Sequence, residues 1–256
     1  RQGWLDLHAE MDKYADTFPR PTGAEATRWD DVMLVYFTSG TTGMPKLVQH
    51  NFAYPLGHIV TAKYWQHVEE NRLHMSVSDS GWAKFGWGKI YGQWICEGAT
   101  FVYDFDRFDA AQILPLFEQY GITTFCAPPT MLRMLIRGDL SKYDLSSIHH
   151  MTTAGEALNP EVYNKFKEAT GLEIMEGFGQ TETTLAIANL YGTTPKIGAM
   201  GKASPQFDID IVDPDGNSVA DGEVGEIVIH TENGAPCGLF KEYYLDEEKT
   251  NDAWYD

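Results

Sequence analysis

Ala99-Thr100-Phe101-Val102-Tyr103, the stretch from Asp109 to Tyr120, and Ile122-Thr123-Thr124-Phe125-Cys126 stand in the order strand, helix, strand. The outer runs are short and rich in β-branched and aromatic residues, while the middle one carries apolar residues at helical spacing and is stopped by Gly121. Such alternation of strand and helix argues for a parallel sheet. The alternation extends in both directions. Trp4 to Tyr14 has an amphipathic helical pattern, and Asp16 to Asp31 is a polar loop leading to Val32-Met33-Leu34-Val35-Tyr36-Phe37, which reads as a buried strand. Leu56 to Trp65 suits a helix, Leu73 to Val77 a strand and Trp87 to Trp94 a helix. Beyond a Pro128-Pro129 break, Asn159-Pro160-Glu161 opens a helix with proline at its first position, and Gly171 ends it. The predicted fold class is α/β, a doubly wound, mostly parallel sheet with helices.

After about Thr194 the texture changes. Phe207, Ile209 and Ile211 alternate with Asp208 and Asp210, the turn Asp213-Pro214-Asp215-Gly216 follows, and Glu226-Ile227-Val228-Ile229 alternates again. A boundary near Thr193 to Ile197 therefore divides an α/β unit, 1–194, from a small β-rich, barrel-like subdomain, 195–256.

The 256 residues, 43% of them hydrophobic, can bury a sizeable core. A net charge of −18 argues against a nucleic-acid or anionic-membrane partner, since both need a basic footprint. Cys96, Cys126 and Cys237 have neither CxxC spacing nor an even count, so a disulfide framework or zinc site is not expected, and a reducing cytoplasm or organelle matrix fits. No apolar run approaches membrane-spanning length. The start Arg1-Gln2-Gly3-Trp4 resembles no signal peptide and lacks a methionine, so the chain is expected to be part of something longer.

Thr38-Ser39-Gly40-Thr41-Thr42-Gly43-Met44-Pro45-Lys46 packs hydroxyls, two glycines and a lysine directly after an apolar run. Backbone amides and hydroxyls in such a loop can surround phosphates, with Lys46 as a point charge. It is not a Walker loop, which has four residues between its glycines and a Lys-Ser/Thr pair after the second. Here two residues separate Gly40 from Gly43, and Leu47 follows the lysine. Alone, the stretch also suits an ordinary surface turn.

Gly177-Phe178-Gly179-Gln180-Thr181-Glu182 offers an aromatic face, a hydroxyl and a carboxylate in one Gly-rich segment, preceded by Thr153-Ala154-Gly155-Glu156-Ala157-Leu158. With these elements in order, the chain resembles the adenylate-forming superfamily of acyl-CoA synthetases, firefly luciferase and peptide-synthetase adenylation domains. Its Thr-Ser-Gly-Thr-Thr-Gly-x-Pro-Lys and Gly-Gln-Thr-Glu signatures match Thr38 to Lys46 and Gly179 to Glu182. Ser78 to Trp82, Gly98 to Val102, Ala127 to Thr130 and Asp139 to Tyr143 look like the medium-chain and short-chain branch.

The resemblance implies that Thr38, Ser39, Gly40, Thr41, Thr42 and Gly43 wrap the β- and γ-phosphates of ATP, with Lys46 in support. It implies Thr181 at the α-phosphate, Glu182 as the Mg²⁺ ligand, and Gly155, Glu156, Ala157, Glu176 and Gly177 around the adenine of ATP or AMP. Gln180 and Gly179 belong to the same nucleotide segment, and Phe178 stands where many relatives carry tyrosine. Thr181, Glu182 and Lys46 are the implied catalytic residues. The implied chemistry joins a small carboxylic acid to AMP, releasing pyrophosphate, and then passes the acyl group to CoA. Trp82, Lys84, Trp87 and Gly88 are the acyl-pocket candidates, although Trp87, Tyr91 and Trp94 at i, i+4 and i+7 also suit plain helix core. Loading of a carrier-protein thiol, and nucleotide binding without ligase chemistry, stay open. His50, His58, His149 and His150 lack metal-ligand spacing and are assigned no ion, and Glu69-Glu70 reads as a solvated face. Relatives carry a ribose-gripping Thr-Gly-Asp just beyond the position of Asp256 and a separate lysine-bearing C-terminal domain. Both are expected outside this chain, which alone is expected to be barely active.

Overall fold

The computed structural model describes residues 3–38 and 45–254. Of the expected Trp4 to Tyr14 helix only Leu7–Met11 (α1) forms, capped by the Asp6 carboxylate and burying nothing. So short a helix depends on packing for its length, and Leu7 and Met11 stay exposed.

Val32–Thr38 (β1) and Lys46–Asn51 (β2) pair antiparallel, with Thr38 opposite Lys46. This corrects the reading of Val32 to Phe37 as a buried strand: Val35 and Phe37 are exposed, because the hairpin belongs to a three-stranded sheet outside the main one. Lys46 accordingly opens a strand. Ser39, Gly40, Thr41, Thr42 and Gly43 lie outside the described residues.

Tyr54–Ile59 (α2) continues into a π-helical run, Val60–Trp65, and Leu73–Ser76 (β3) follows. The Trp87 to Trp94 helix is displaced and broken. Ala83–Lys89 (α3) and Tyr91–Ile95 (α4) flank Ile90, whose backbone (φ −122, ψ −75) leaves the helical region. Trp87 is therefore buried while Trp94 is 65% exposed, and the presumed stripe is no single face. Ala99–Phe101 (β4), Ala110–Tyr120 (α5), Thr124–Cys126 (β5), Pro129–Leu135 (α6), His150–Ala154 (β6), Pro160–Thr170 (α7) and Ile174–Phe178 (β7) complete the α/β alternation. Asp109 and Asn159 cap α5 and α7, whose ends turn through Gly121 and Gly171 in the left-handed region.

The main sheet has seven strands in the order β4-β3-β5-β6-β7, then Ile187–Ala188 (β8) and Lys202–Ala203 (β9). The first five run parallel, β8 pairs antiparallel with β7, and β9 pairs antiparallel with β8. Residues alternate between its faces. Phe125, Met151 and Ile174 pack with Ile113 and Phe117 of α5, Leu132 of α6 and Phe166 of α7, whereas Cys126 and Met175 meet Trp65 of the π-helical run. Asp208–Val212 (β10) and Glu226–His230 (β11) form the expected hairpin as a separate two-stranded sheet. Glu242–Tyr243 (β12) returns to pair with β2, and Glu247–Ala253 (α8) follows.

Candidate active site

β6 and β7 run parallel, with Ala154 beside Gly177, so Gly155 and residues 179–182 leave the sheet at one edge. The carboxyl edge of such a sheet is where open α/β folds bind ligands. Gly179 lets this segment pass close to its neighbours: a Cβ there would lie 2.3 Å from the Thr184 carbonyl and 2.4 Å from the Trp87 ring. The next turn is closed by the Gln180 N–H donating to Thr183 Oγ1 at 2.9 Å.

Two long-range contacts then clamp it. His50 Nε2, fully buried in β2, donates to the Thr181 carbonyl at 2.7 Å, and the Phe240 N–H donates to the Glu182 carbonyl at 2.7 Å. The carbonyl can only accept, so the His50 proton sits on Nε2. Burial pushes this imidazole down to about 4, and its ring centroid lies 3.9 Å from that of Tyr54.

Side chains follow from these anchors. Tyr243 Oη donates to Glu182 Oε1 at 2.7 Å, and Lys46 Nζ donates to the same phenol at 3.3 Å while lying 4.4 Å from its ring centroid. Burial, then the Glu182 carboxylate, push the Tyr243 phenol upward. Lys84 Nζ donates to the Ala154 carbonyl at 2.6 Å, and burial lowers its ammonium. Trp87 Nε1 donates to Tyr54 Oη at 3.0 Å, which fixes the indole against Gly179.

These groups surround one cavity of about 420 Å³. Thr38, Lys46, Gly155, Gly179, Gln180, Thr181 and Glu182 line it, as do Trp82, Lys84 and Trp87. The remaining sequence-derived candidates stand behind it. Glu156 is exposed and accepts from Thr130 Oγ1 at 2.6 Å and Arg133 Nη2 at 3.0 Å, and Ala157 is exposed beside it. Glu176, raised by burial, accepts the Leu158 N–H at 3.1 Å and so braces the turn after β6. Gly177 is wedged between Trp65 and Leu185, Phe178 packs against the Ala186, Ile187 and Phe207 cluster, and a Cβ on Gly88 would lie 2.2 Å from Ser76 Oγ of β3. Tyr243, Trp65, Gln66 and Cys126 also line the cavity. They and the His50 clamp lie outside every motif read from the sequence, and only packing reveals them.

The AMP-binding enzyme family matches residues 3–244. The chain belongs to that family. It is similar to the mitochondrial acyl-coenzyme A synthetase ACSM3 of Mus musculus, with 39% identity over 251 residues that cover 98% of this chain and 43% of that protein. It is equally similar to the mitochondrial acyl-coenzyme A synthetase ACSM5 of Homo sapiens, 39% identical over 98% of this chain and 42% of that one. The chain thus spans less than half the length of these curated relatives. Among solved structures, the anthranilate CoA ligase AuaEII in complex with anthranoyl-AMP superposes with a TM-score of 0.85 at 25% identity, covering 98% of this chain and 47% of that one. A Brucella canis acyl-CoA synthetase has the same fold, with a TM-score of 0.84 at 24% identity over 96% of this chain and 44% of that one. The α/β fold with a mostly parallel sheet is that of the adenylate-forming enzymes. Among the described residues no helix is long and apolar enough to cross a membrane.

Proposed function

We propose that this chain is the nucleotide- and acid-binding part of an AMP-forming acid:CoA ligase that activates a short-chain, medium-chain or aromatic carboxylic acid. The observation that carries the proposal is the meeting of Thr38 and Lys46, the Gln180-Thr181-Glu182 turn and the Trp82, Lys84, Trp87 wall around one cavity. Two anions, ATP and a carboxylate, have to meet there, and the two lysines that line the cavity, Lys46 and Lys84, favour that encounter. Lys46 offers a charge toward the polyphosphate end, and the Thr181 hydroxyl a donor toward the α-phosphate. Ser39, Gly40, Thr41, Thr42 and Gly43 are assigned to the β- and γ-phosphates on the family resemblance. Lys84, anchored on Ala154, is suited to orient the carboxylate, and the indoles of Trp82 and Trp87 to enclose an apolar or aromatic acyl group. An enzyme of the same fold binds anthranoyl-AMP, an aromatic acyl-adenylate.

Glu182 suits Mg²⁺, because it contributes a hard carboxylate beside the hydroxyls of Thr38 and Thr181, and such ions take few protein ligands plus phosphate and water. When bound, Mg²⁺ supplies charge neutralisation for the leaving pyrophosphate. Tyr243 holds one Glu182 oxygen and thereby orients the carboxylate. CoA is the proposed acyl acceptor, and an organelle matrix the proposed location, as in the relatives named mitochondrial. The division into 1–194 and 195–256 is proposed with them. The separate β10–β11 sheet supports it, while β9 and β12 link the second unit to the first.

Pyrophosphate exchange by the full-length ligase, screened over carboxylic acids with and without CoA, tests this reading. Glu182→Gln is expected to lower exchange by at least about 100-fold. Exchange at the wild-type rate in that variant would overturn the assignment.

A further inference from the structure

The end of β6 remote from the cavity carries a second cluster. His149, which leads into β6, has its Nε2 3.8 Å from Glu69 Oε2, and His67 Nε2 lies 3.8 Å from Glu69 Oε1. One ligand atom from each of the three residues falls within 4.8 Å of the others, the one such group of His, Cys and carboxylate side chains among the described residues. The His67 ring is stacked on Tyr191 at 3.5 Å and 6°, and the His149 ring stands edge-on to it at 5.5 Å.

The backbone sets where His67 stands. His67 follows the π-helical run at φ 53, and the next N–H, that of Val68, bonds back to the Ala62 carbonyl at 2.8 Å. Glu97 follows α4 at φ 58, with the Gly98 N–H bonded back to Gln93 at 2.8 Å. Both are helix-ending positions at which glycine is the least strained residue. The chain instead keeps a histidine and a glutamate there, and both line a cavity of about 570 Å³ shared with Glu69, Glu70, Lys63 and Cys96.

We propose that His67, Glu69 and His149 bind a divalent transition metal of zinc's class, with water completing the coordination. Two imidazoles and a carboxylate are a donor set that zinc accepts. Bonds of about 2.0–2.2 Å put tetrahedral ligand atoms roughly 3.4 Å apart, so side-chain movements of about an ångström close the site. Arg72, whose Nε lies 3.8 Å from Glu69 Oε2, is the competing cation. It is half exposed, and a pair of that kind is readily displaced. Glu70 and Glu97 add negative charge around the cavity, and Lys63 offsets part of it. The bound ion would join the turn after the π-helical run to the start of β6.

Calorimetric Zn²⁺ titration of the metal-stripped chain tests the site, with Co²⁺ absorption as a readout of coordination. One equivalent of Zn²⁺ is expected to bind, with a four-coordinate Co²⁺ spectrum. Affinity is expected to fall by at least about 100-fold in His149→Ala and in His67→Gly, and to rise several-fold in Arg72→Ala. His67→Gly suits the left-handed backbone, so its effect reports the lost imidazole and not a folding defect. Unchanged Zn²⁺ affinity in both histidine variants, or no saturable binding up to about 0.1 mM, would overturn the proposal.

Discussion

Tyr243 shows how far a single residue can reach across this molecule. Its phenol donates to Glu182 and accepts from Lys46, so one buried side chain links both motifs of the cavity. Tyr243→Phe keeps the ring and removes the donor to a carboxylate, and is expected to cost about 1.5–3 kcal/mol. A urea-unfolding series reads that loss directly, and a midpoint equal to wild type would contradict it. Gly179→Ala adds a Cβ with two close neighbours, 2.3 Å from the Thr184 carbonyl and 2.4 Å from the Trp87 ring, and is expected to destabilise by about 1–3 kcal/mol. A shift of Trp87 fluorescence, with its indole displaced from Gly179, should accompany it. Gly179, Thr181 and Glu182 were legible from the sequence because they sit in one contiguous run. Tyr243 and His50 were not: they meet the run across 61 and 131 residues.

At the scale of elements, α5 and α7 were the most legible because their termini carry local signals. Asn159 accepts the Glu161 N–H at 2.7 Å, and Gly171 turns the chain at φ 73. Asn159→Ala is expected to cost about 1 kcal/mol through the lost cap. Gly171→Ala should cost about 1–2 kcal/mol through left-handed strain. Thermal unfolding of each variant checks both, and a Gly171→Ala protein as stable as wild type would show that α7 ends by other means. The strand Val32–Thr38 was legible as a strand and misleading as to its surroundings. An apolar run reports β-propensity, but what covers its faces is set by tertiary packing, and here β1 is the edge strand of a small sheet, paired with β2, which in turn pairs with β12. The break at Ile90 was hidden for a similar reason, since helical spacing persists through a residue whose own backbone departs from the helix.

The whole molecule titrates through its interior. Burial pushes His50 and His150 down to about 4, and His58 and His74 to about 3, against an ordinary value of 6.5. Between those limits the unfolded chain binds protons that the folded chain does not, so stability present above pH 6.5 is lost as pH falls toward 4. Glu176, pushed upward by burial, opposes this as a single group. Urea midpoints at successive pH values are expected to fall across that window, with proton uptake on unfolding; a flat profile would contradict it. Sequence alone determined the strand and helix alternation, the capped helices, the phosphate-loop and Gly-Gln-Thr-Glu motifs and the family resemblance they carry. Each of these is written in neighbouring residues through periodicity, backbone preference or contiguous chemistry. Tertiary structure decided that the β1–β2 hairpin stands outside the main sheet, that Tyr243 and His50 brace the Thr181-Glu182 turn, and that His67, Glu69 and His149 meet. Those outcomes depend on which surfaces pack together, and packing joins residues whose separation along the chain carries no local signal.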